Sequence, residues 1–410
     1  MRYFIVFIII VFTFKSIAQS NTQIPVSNSN SESTINSISI NEAELDTLII
    51  LDSKEQENEK MDKKTKSTTK DYRSTAPQSL KQEVDAETKS INKSVQLEST
   101  SFSILKKQAS TQRTQRTPTE DQQEQMDQVV TVLAENAPQS FEYYYFKYVA
   151  GNYNTSLIEN LKKAENLKPN NSDVQIQMAA YYMITNDYKK TLLYLDKLIS
   201  SSRLNNDVIN YAEDILLSVP ENGTLITHGF DDTYATAFVQ LSKKIRTDVK
   251  LISLDFLQSE SYRTNLQKQG FILPVANFVD VKYLQEFCLK NERKSLAISM
   301  TTPKEYLLPI QQNLFAVGLV FEYQSDLTFN NFVRNDNLWN KTLNKILVNN
   351  ALTEKAKQLS ANYLPMLFSL RKIYVQGGNN EKVNEIDSAL DKISVQSKKF
   401  DQVQKLKKSY

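Results

Sequence analysis

Seven consecutive residues, His228-Gly229-Phe230-Asp231-Asp232-Thr233-Tyr234, gather an imidazole, two carboxylates, a hydroxyl and a phenol behind a short apolar run. If the run is a strand and the next segment a helix, the group lies where a strand's carboxyl end meets a helix amino end. Open α/β sheets bind ligands at that edge, and the helix start adds free N–H groups and a partial positive charge. Asp231 would then accept hydrogen bonds from hydroxyls in a small polar or sugar-binding crevice, with Asp232, Thr233 and Tyr234 beside it. The architectural alternative is that Asp232 or Thr233 caps the helix and Gly229 permits the sharp turn. The carboxylates have no third acidic neighbour in sequence, so no metal site is expected, and no catalytic residue is assigned. A concave polar surface around Asp231 would favour a ligand; a filled one would favour architecture.

Other chemistry is sparse. Cys288 and His228 are the single cysteine and the single histidine, too few for an internal disulfide or a four-ligand zinc site. Cys288 lies in an apolar-periodic run, residues 281–290, that reads as a packed helix. No Gly-x-Gly-x-x-Gly follows the first strand and there are only 7 glycines, so phosphate-cradling loops and a bound cofactor are not expected. With 49 basic and 47 acidic residues the net charge is +2, which offers nucleic acid no general attraction. Arg246 sits between a helix and a strand, where it could pair with a carboxylate and fix the connection.

The elements that must hold these residues follow from periodicity. Residues 224–228, 249–254, 295–300 and 317–323 read as strands. Residues 234–245, 259–269, 281–290 and 304–313 read as helices. This alternation predicts a small Rossmann-like parallel sheet covered by helices over 219–330, with 224–228 and 249–254 as parallel neighbours. Upstream, over 121–218, two helix pairs turn at Gly151-Asn152-Tyr153 and Asn186-Asp187-Tyr188, about 35 residues apart, a tetratricopeptide-like period. Tyr148, Leu157, Leu161, Ala164 and Pro169 occupy that repeat's aromatic, small and helix-ending positions, and residues 206–217 cap the pair. Helices return over 331–410, with Trp339 as their expected anchor. The fold class is thus α/β plus all-α.

Within the α/β segment, Gly229, Asp232-Thr233-Tyr234, Ile245-Arg246-Thr247-Asp248-Val249, Thr302-Pro303-Lys304-Glu305 and Gly318-Leu319-Val320-Phe321 resemble the soluble C-terminal region of a bacterial family. These are multi-spanning membrane proteins of the Bacteroidetes, related to protein O-mannosyltransferases. The resemblance covers roughly residues 215–330. Phe230 stands where that family carries an acidic residue. The multi-spanning half, to which catalysis belongs in such enzymes, has no counterpart here. The resemblance therefore implies a fold and an envelope location, and it does not imply glycosyl transfer.

The amino-terminal residues read as an export signal: Arg2, an apolar stretch over 3–14, then Ser16-Ile17-Ala18 before a cut at Gln19. An uncleaved anchor is the alternative, because Lys15 interrupts the usual order. Residues 19–120 are dominated by polar and charged types and are expected to be a disordered tether. Within it, the apolar run over 45–51 could add a strand to a partner's sheet or simply collapse transiently. The expectation is an exported, periplasmic or secreted, non-enzymatic scaffold with a protein partner in the envelope and no membrane span after signal cleavage. The alternative is a soluble carbohydrate-binding or glycosylation-accessory protein, whose partner is a glycan.

Overall fold

The computed structural model describes residues 78–409 apart from 277 and 327–328, with side chains described from residue 91. The export segment, the run at 45–51 and the first part of the tether lie outside the described residues. The rest of the tether does not match its expectation. Gln78–Ser110 is a helix, α1, of 33 residues. From residue 91 on, its side chains bury a narrow seam: Phe102 and Leu105 enter the core, while Leu97 and Ile104 are exposed. Phe102 stacks on Phe146 with ring centroids 4.2 Å apart. Order therefore begins upstream of residue 120, and composition misled because a single packed seam suffices once a neighbouring helix layer receives it.

Next come α2 (Glu120–Asn136), α3 (Phe141–Ala150), α4 (Ile158–Leu167), α5 (Ser172–Ile184), α6 (Tyr188–Ser200) and α7 (Asn206–Ser218). Several starts are written in the sequence as side-chain caps. Thr119 and Gln122 form a reciprocal capping box at α2. Ser140, Asn171, Asp187 and Asn205 cap α3, α5, α6 and α7. The expected helix pairs are present as hairpins α3–α4 and α5–α6, and Tyr148, Leu161 and Ala164 are fully buried between them.

The sheet has five short strands: β1 (Thr224–Thr227), β2 (Lys250–Ser253), β3 (Leu296–Ser299), β4 (Leu314–Val317) and β5 (Val320–Tyr323). Their order is β2-β1-β3-β5-β4. β1 pairs in parallel with both β2 and β3, as expected for the first two strands. The sheet is nevertheless mixed, because β5 runs antiparallel to β3 and to β4. The single strand expected over 317–323 is the second arm of a hairpin. Gly318, at φ +55°, takes the left-handed turn, and its N–H donates to the Asn335 side chain at 2.9 Å.

Between the strands lie α8 (Gly229–Phe238, continued by a π turn), α9 (Glu260–Lys268), α10 (Val281–Lys290) and α11 (Lys304–Leu307). After β5 come α12 (Phe332–Asn337), α13 (Ile346–Asn349), α14 (Glu354–Ser360), α15 (Leu364–Gln376), α16 (Asn380–Gln396) and α17 (Phe400–Lys407). Side chains alternate across the sheet. Leu225, Ala297 and Val320 face one core with the amino-terminal helix pairs and the carboxyl-terminal helices. Ile226, Ile252, Ile298 and Phe321 face a second core with α10, where Cys288 is fully buried. Trp339 is buried, and its indole N–H donates to Glu385 on α16.

The carboxyl-terminal helices do not form a separate body, and α7 belongs with them. Buried Asp214 on α7 accepts from Tyr363 Oη at 2.5 Å and from the backbone N–H groups of Asn344 and Lys345. Arg334 bridges buried Glu322 of β5 and the carbonyl of Ser218. No helix among the described residues is long and apolar enough to cross a membrane. Phe102→Ala should lower stability by roughly 3–5 kcal/mol, the usual cost of emptying a buried aromatic site. Chemical denaturation checks this, and an unchanged midpoint would detach α1 from the core.

Candidate functional site

At the carboxyl ends of the three parallel strands lies a cleft of about 880 Å³. Its floor is His228 and Gly229 after β1, Asp255 after β2, and Met300 and Thr301 after β3. The opposite wall comes from the helical layer, with Lys106 of α1, Arg113 and Arg116 of the segment joining α1 to α2, Tyr153 and Arg203. Lys355 and Asn362 close the remaining side. The surface beside Asp231 is thus concave and mixed, with charged and amide side chains among apolar ones.

Gly229 begins α8 rather than preceding it, which corrects the expected helix start at residue 234. His228 holds the cap position without a side-chain capping bond, and neither Asp232 nor Thr233 is the cap. Gly229 has φ +73°, and this left-handed geometry goes with an N–H that donates to Asp255 Oδ2 at 2.9 Å. Arg116 donates to the other oxygen, Asp255 Oδ1, through Nε at 2.8 Å and Nη2 at 2.5 Å. Burial opposes charge on Asp255, but Arg116, His228 and the Gly229 N–H together hold its carboxyl below the ordinary value. Arg113 is tied down in turn by Glu305 at 2.8 Å.

Of the four residues singled out in sequence, two line the cleft. Asp231 is half-buried and pairs with Lys355 at 2.9 Å. Asp232 is only 2% exposed, and its Oδ2 accepts hydrogen bonds from the hydroxyls of Ser299 and Thr301. Its other oxygen, Oδ1, has no hydrogen-bond partner among the described residues. The remaining two turn away. Thr233 shares a hydrogen bond with Thr227 at 2.8 Å inside the sheet layer, and Tyr234 donates to the Ile176 carbonyl on α5. With Asp231 and Asp232 in the first turn of α8, the step of about 100° per residue carries Thr233 and Tyr234 round to other faces of the helix.

Arg246 is a staple. It grips Asp248 with two bonds and reaches the carbonyls of Leu216, Val219 and Pro220. Those bonds hold the Asp248 carboxyl down at about 2. His228 lines the cleft, whereas Cys288 lies in the core on the other face of the sheet. Among the described residues there is no group of three or more metal-ligating side chains.

Sequence reasoning missed Lys106, Arg113, Arg116, Ser299 and Thr301. Two signals were available. The run Thr111-Gln112-Arg113-Thr114-Gln115-Arg116 leads directly into the capping box at Thr119, and Ser299-x-Thr301 closes a strand.

Residues 208–401 match the family model of TMEM260-associated domain 2. The match agrees with the resemblance carried by Gly229, Asp232-Thr233-Tyr234 and the Arg246-Thr247-Asp248 step. It also extends beyond it, taking in α7, the whole sheet and the helices through α16, the elements that Asp214 and Arg334 bind together. The domain contributes His228, Asp231, Asp232 and Asp255 to the cleft, while Lys106, Arg113, Arg116 and Arg203 precede it. No curated protein and no solved structure matches the chain.

Burial raises the Asp232 carboxyl to about 7, although the Ser299 and Thr301 hydroxyls pull the other way. The folded state therefore keeps a proton that the unfolded chain has released above about pH 4. Stability attributable to this group is full below that pH and falls as pH rises towards 7. Asp232→Asn should flatten this fall and raise stability at pH 8 by up to roughly 4 kcal/mol, from about 1.4 kcal/mol per pH unit. Thermal melts of parent and variant from acid to mildly basic pH check this; parallel profiles would contradict it.

Proposed function

We propose that the chain is an exported, non-enzymatic protein of the bacterial envelope that binds a carbohydrate in this cleft and serves glycosylation as an accessory. The observation that carries the reading is Asp232, a buried carboxyl group on the cleft wall with one oxygen held by two hydroxyls and the other without a partner. A buried polar atom without a partner is costly, and a ligand hydroxyl at that oxygen would remove the cost. Around it stand groups suited to a polyhydroxylated ligand: Asn362 and Gln258 with their amides, Thr301 with a hydroxyl, and the ring of Tyr153.

Binding is favoured over hydrolysis because glycosidases use two carboxyl groups in complementary roles. Here Asp231 is engaged by Lys355 and Asp255 by Arg116, leaving Asp232 as the cleft carboxyl without an ion pair among the described residues. Export rests on Arg2, the apolar stretch over 3–14 and Ser16-Ile17-Ala18. The scaffold reading finds less support: Tyr188 and Leu193 are exposed on α6, but scattered apolar exposure is ordinary.

Thermal shift and calorimetry with a panel of mono- and oligosaccharides test the proposal. At least one sugar should raise the melting temperature of the parent, and Asp232→Ala should weaken that sugar's affinity by about tenfold or more. No shift with any sugar in the panel would remove the carbohydrate reading and return the scaffold to first place.

A further inference from the structure

Asp232 can meet a ligand in two protonation states, and the two are not equivalent. Its Oδ2 already takes two hydrogens, one from Ser299 and one from Thr301. In the acid form the proton therefore belongs on Oδ1, the oxygen without a hydrogen-bond partner among the described residues. That oxygen is closed to water, so its negative charge would lose solvation that no protein group replaces. Burial accordingly pushes the carboxyl up to about 7. The charged and titratable groups around it divide. Asp231, on the same helix, pushes further up, and Lys355 of α14 pulls down. The Tyr211 phenol on α7 is held neutral by its own burial and by the Asp232 charge. His228 after β1 and Asp255 after β2 share the cleft floor, and Asp255 is engaged by Arg116. Across the cleft stand Lys106, Arg113, Arg116 and Arg203.

A sugar hydroxyl can donate to the ionised Oδ1 or accept from the protonated one. The first bond is charge-assisted and roughly twice as strong as the second. It also supplies the partner that the buried charge lacks. The ligand therefore stabilises the ionised form more than the acid form. By reciprocity, binding weakens the hold of Asp232 on its proton by the same factor. We propose that sugar uptake in this cleft expels the proton of Asp232, so that the cleft holds its ligand more tightly at mildly basic pH than in acid. The inference rests on the carbohydrate reading and adds its regulation. The sign follows from the free protein. Below about pH 7 the carboxyl keeps its proton, the ligand must drive it off, and affinity is low. At higher pH the proton has already left and affinity levels off at its maximum.

The test is calorimetry on the full chain with methyl glucoside, N-acetylglucosamine and maltotriose, probes that do not themselves titrate. It is run from about pH 5.5 to about pH 8, in pairs of buffers that differ in heat of ionisation. A sugar that binds should gain at least about fivefold in affinity over that range. Near pH 6.5 about half a proton should be released per sugar bound, falling towards none at pH 8. Asp232→Asn should bind equally at both ends of the range, close to the acid affinity of the parent, and release no proton. Should that variant fail to fold, the proton count of the parent still decides. A pH dependence that survives in Asp232→Asn would assign the proton to another cleft group, such as His228, and overturn the inference. Equal affinity at all pH values, or proton uptake on binding, would overturn it and leave the carbohydrate reading standing. Binding of none of the sugars at any pH would overturn both.

Discussion

Asp255 is shared by two parts of the chain that are far apart in sequence. One oxygen takes two bonds from Arg116, in the segment between α1 and α2, and the other takes the N–H of Gly229 at the start of α8. Both ionic groups are largely removed from water, and a charge moved there is tolerated only when its partner and remaining hydrogen bonds are in place. This fixes the segment from α1 against the carboxyl edge of the sheet and, through Gly229, fixes where α8 begins. The cleft exists because these two attachments meet on one carboxylate and leave open space beside it.

The rest of the architecture keeps that edge in position from behind. Asp214 and the Arg334–Glu322 pair join α7, the sheet and the carboxyl-terminal helices. Lys355 and Asn362 thereby reach the cleft from a region that the sequence alone sets apart from the sheet. The domain match over 208–401 follows this packed unit rather than the strand-and-helix alternation alone.

Much of the fold is legible in the sequence because it is local. Helix starts follow from Thr119, Ser140, Asn171, Asp187 and Asn205, whose side chains satisfy free backbone N–H groups. The parallel β1–β2 pair follows from the strand–helix–strand pattern. The failures are equally physical. From residue 91 on, α1 turns most of its side chains to water, so composition could not reveal the seam of Phe102 and Leu105. The β4–β5 hairpin was hidden because Leu314–Val317 and Val320–Tyr323 form almost one apolar run, reversed by a two-residue turn with Gly318 left-handed.

The sequence by itself determined that Asp231 and Asp232 stand between the carboxyl end of a strand and the amino end of a helix, since that follows from a short apolar run ending at residue 228 and helical spacing from residue 234. Only the tertiary structure decided which of the two is buried. The burial and the Ser299 and Thr301 hydroxyls that set the character of Asp232 come from a strand 67 residues away. The cations of the opposite wall come from α1, the segment after it and the turn before α7. Desolvation and charge pairing depend on what chain packing brings within a few ångströms, and no local pattern of residues encodes that distance.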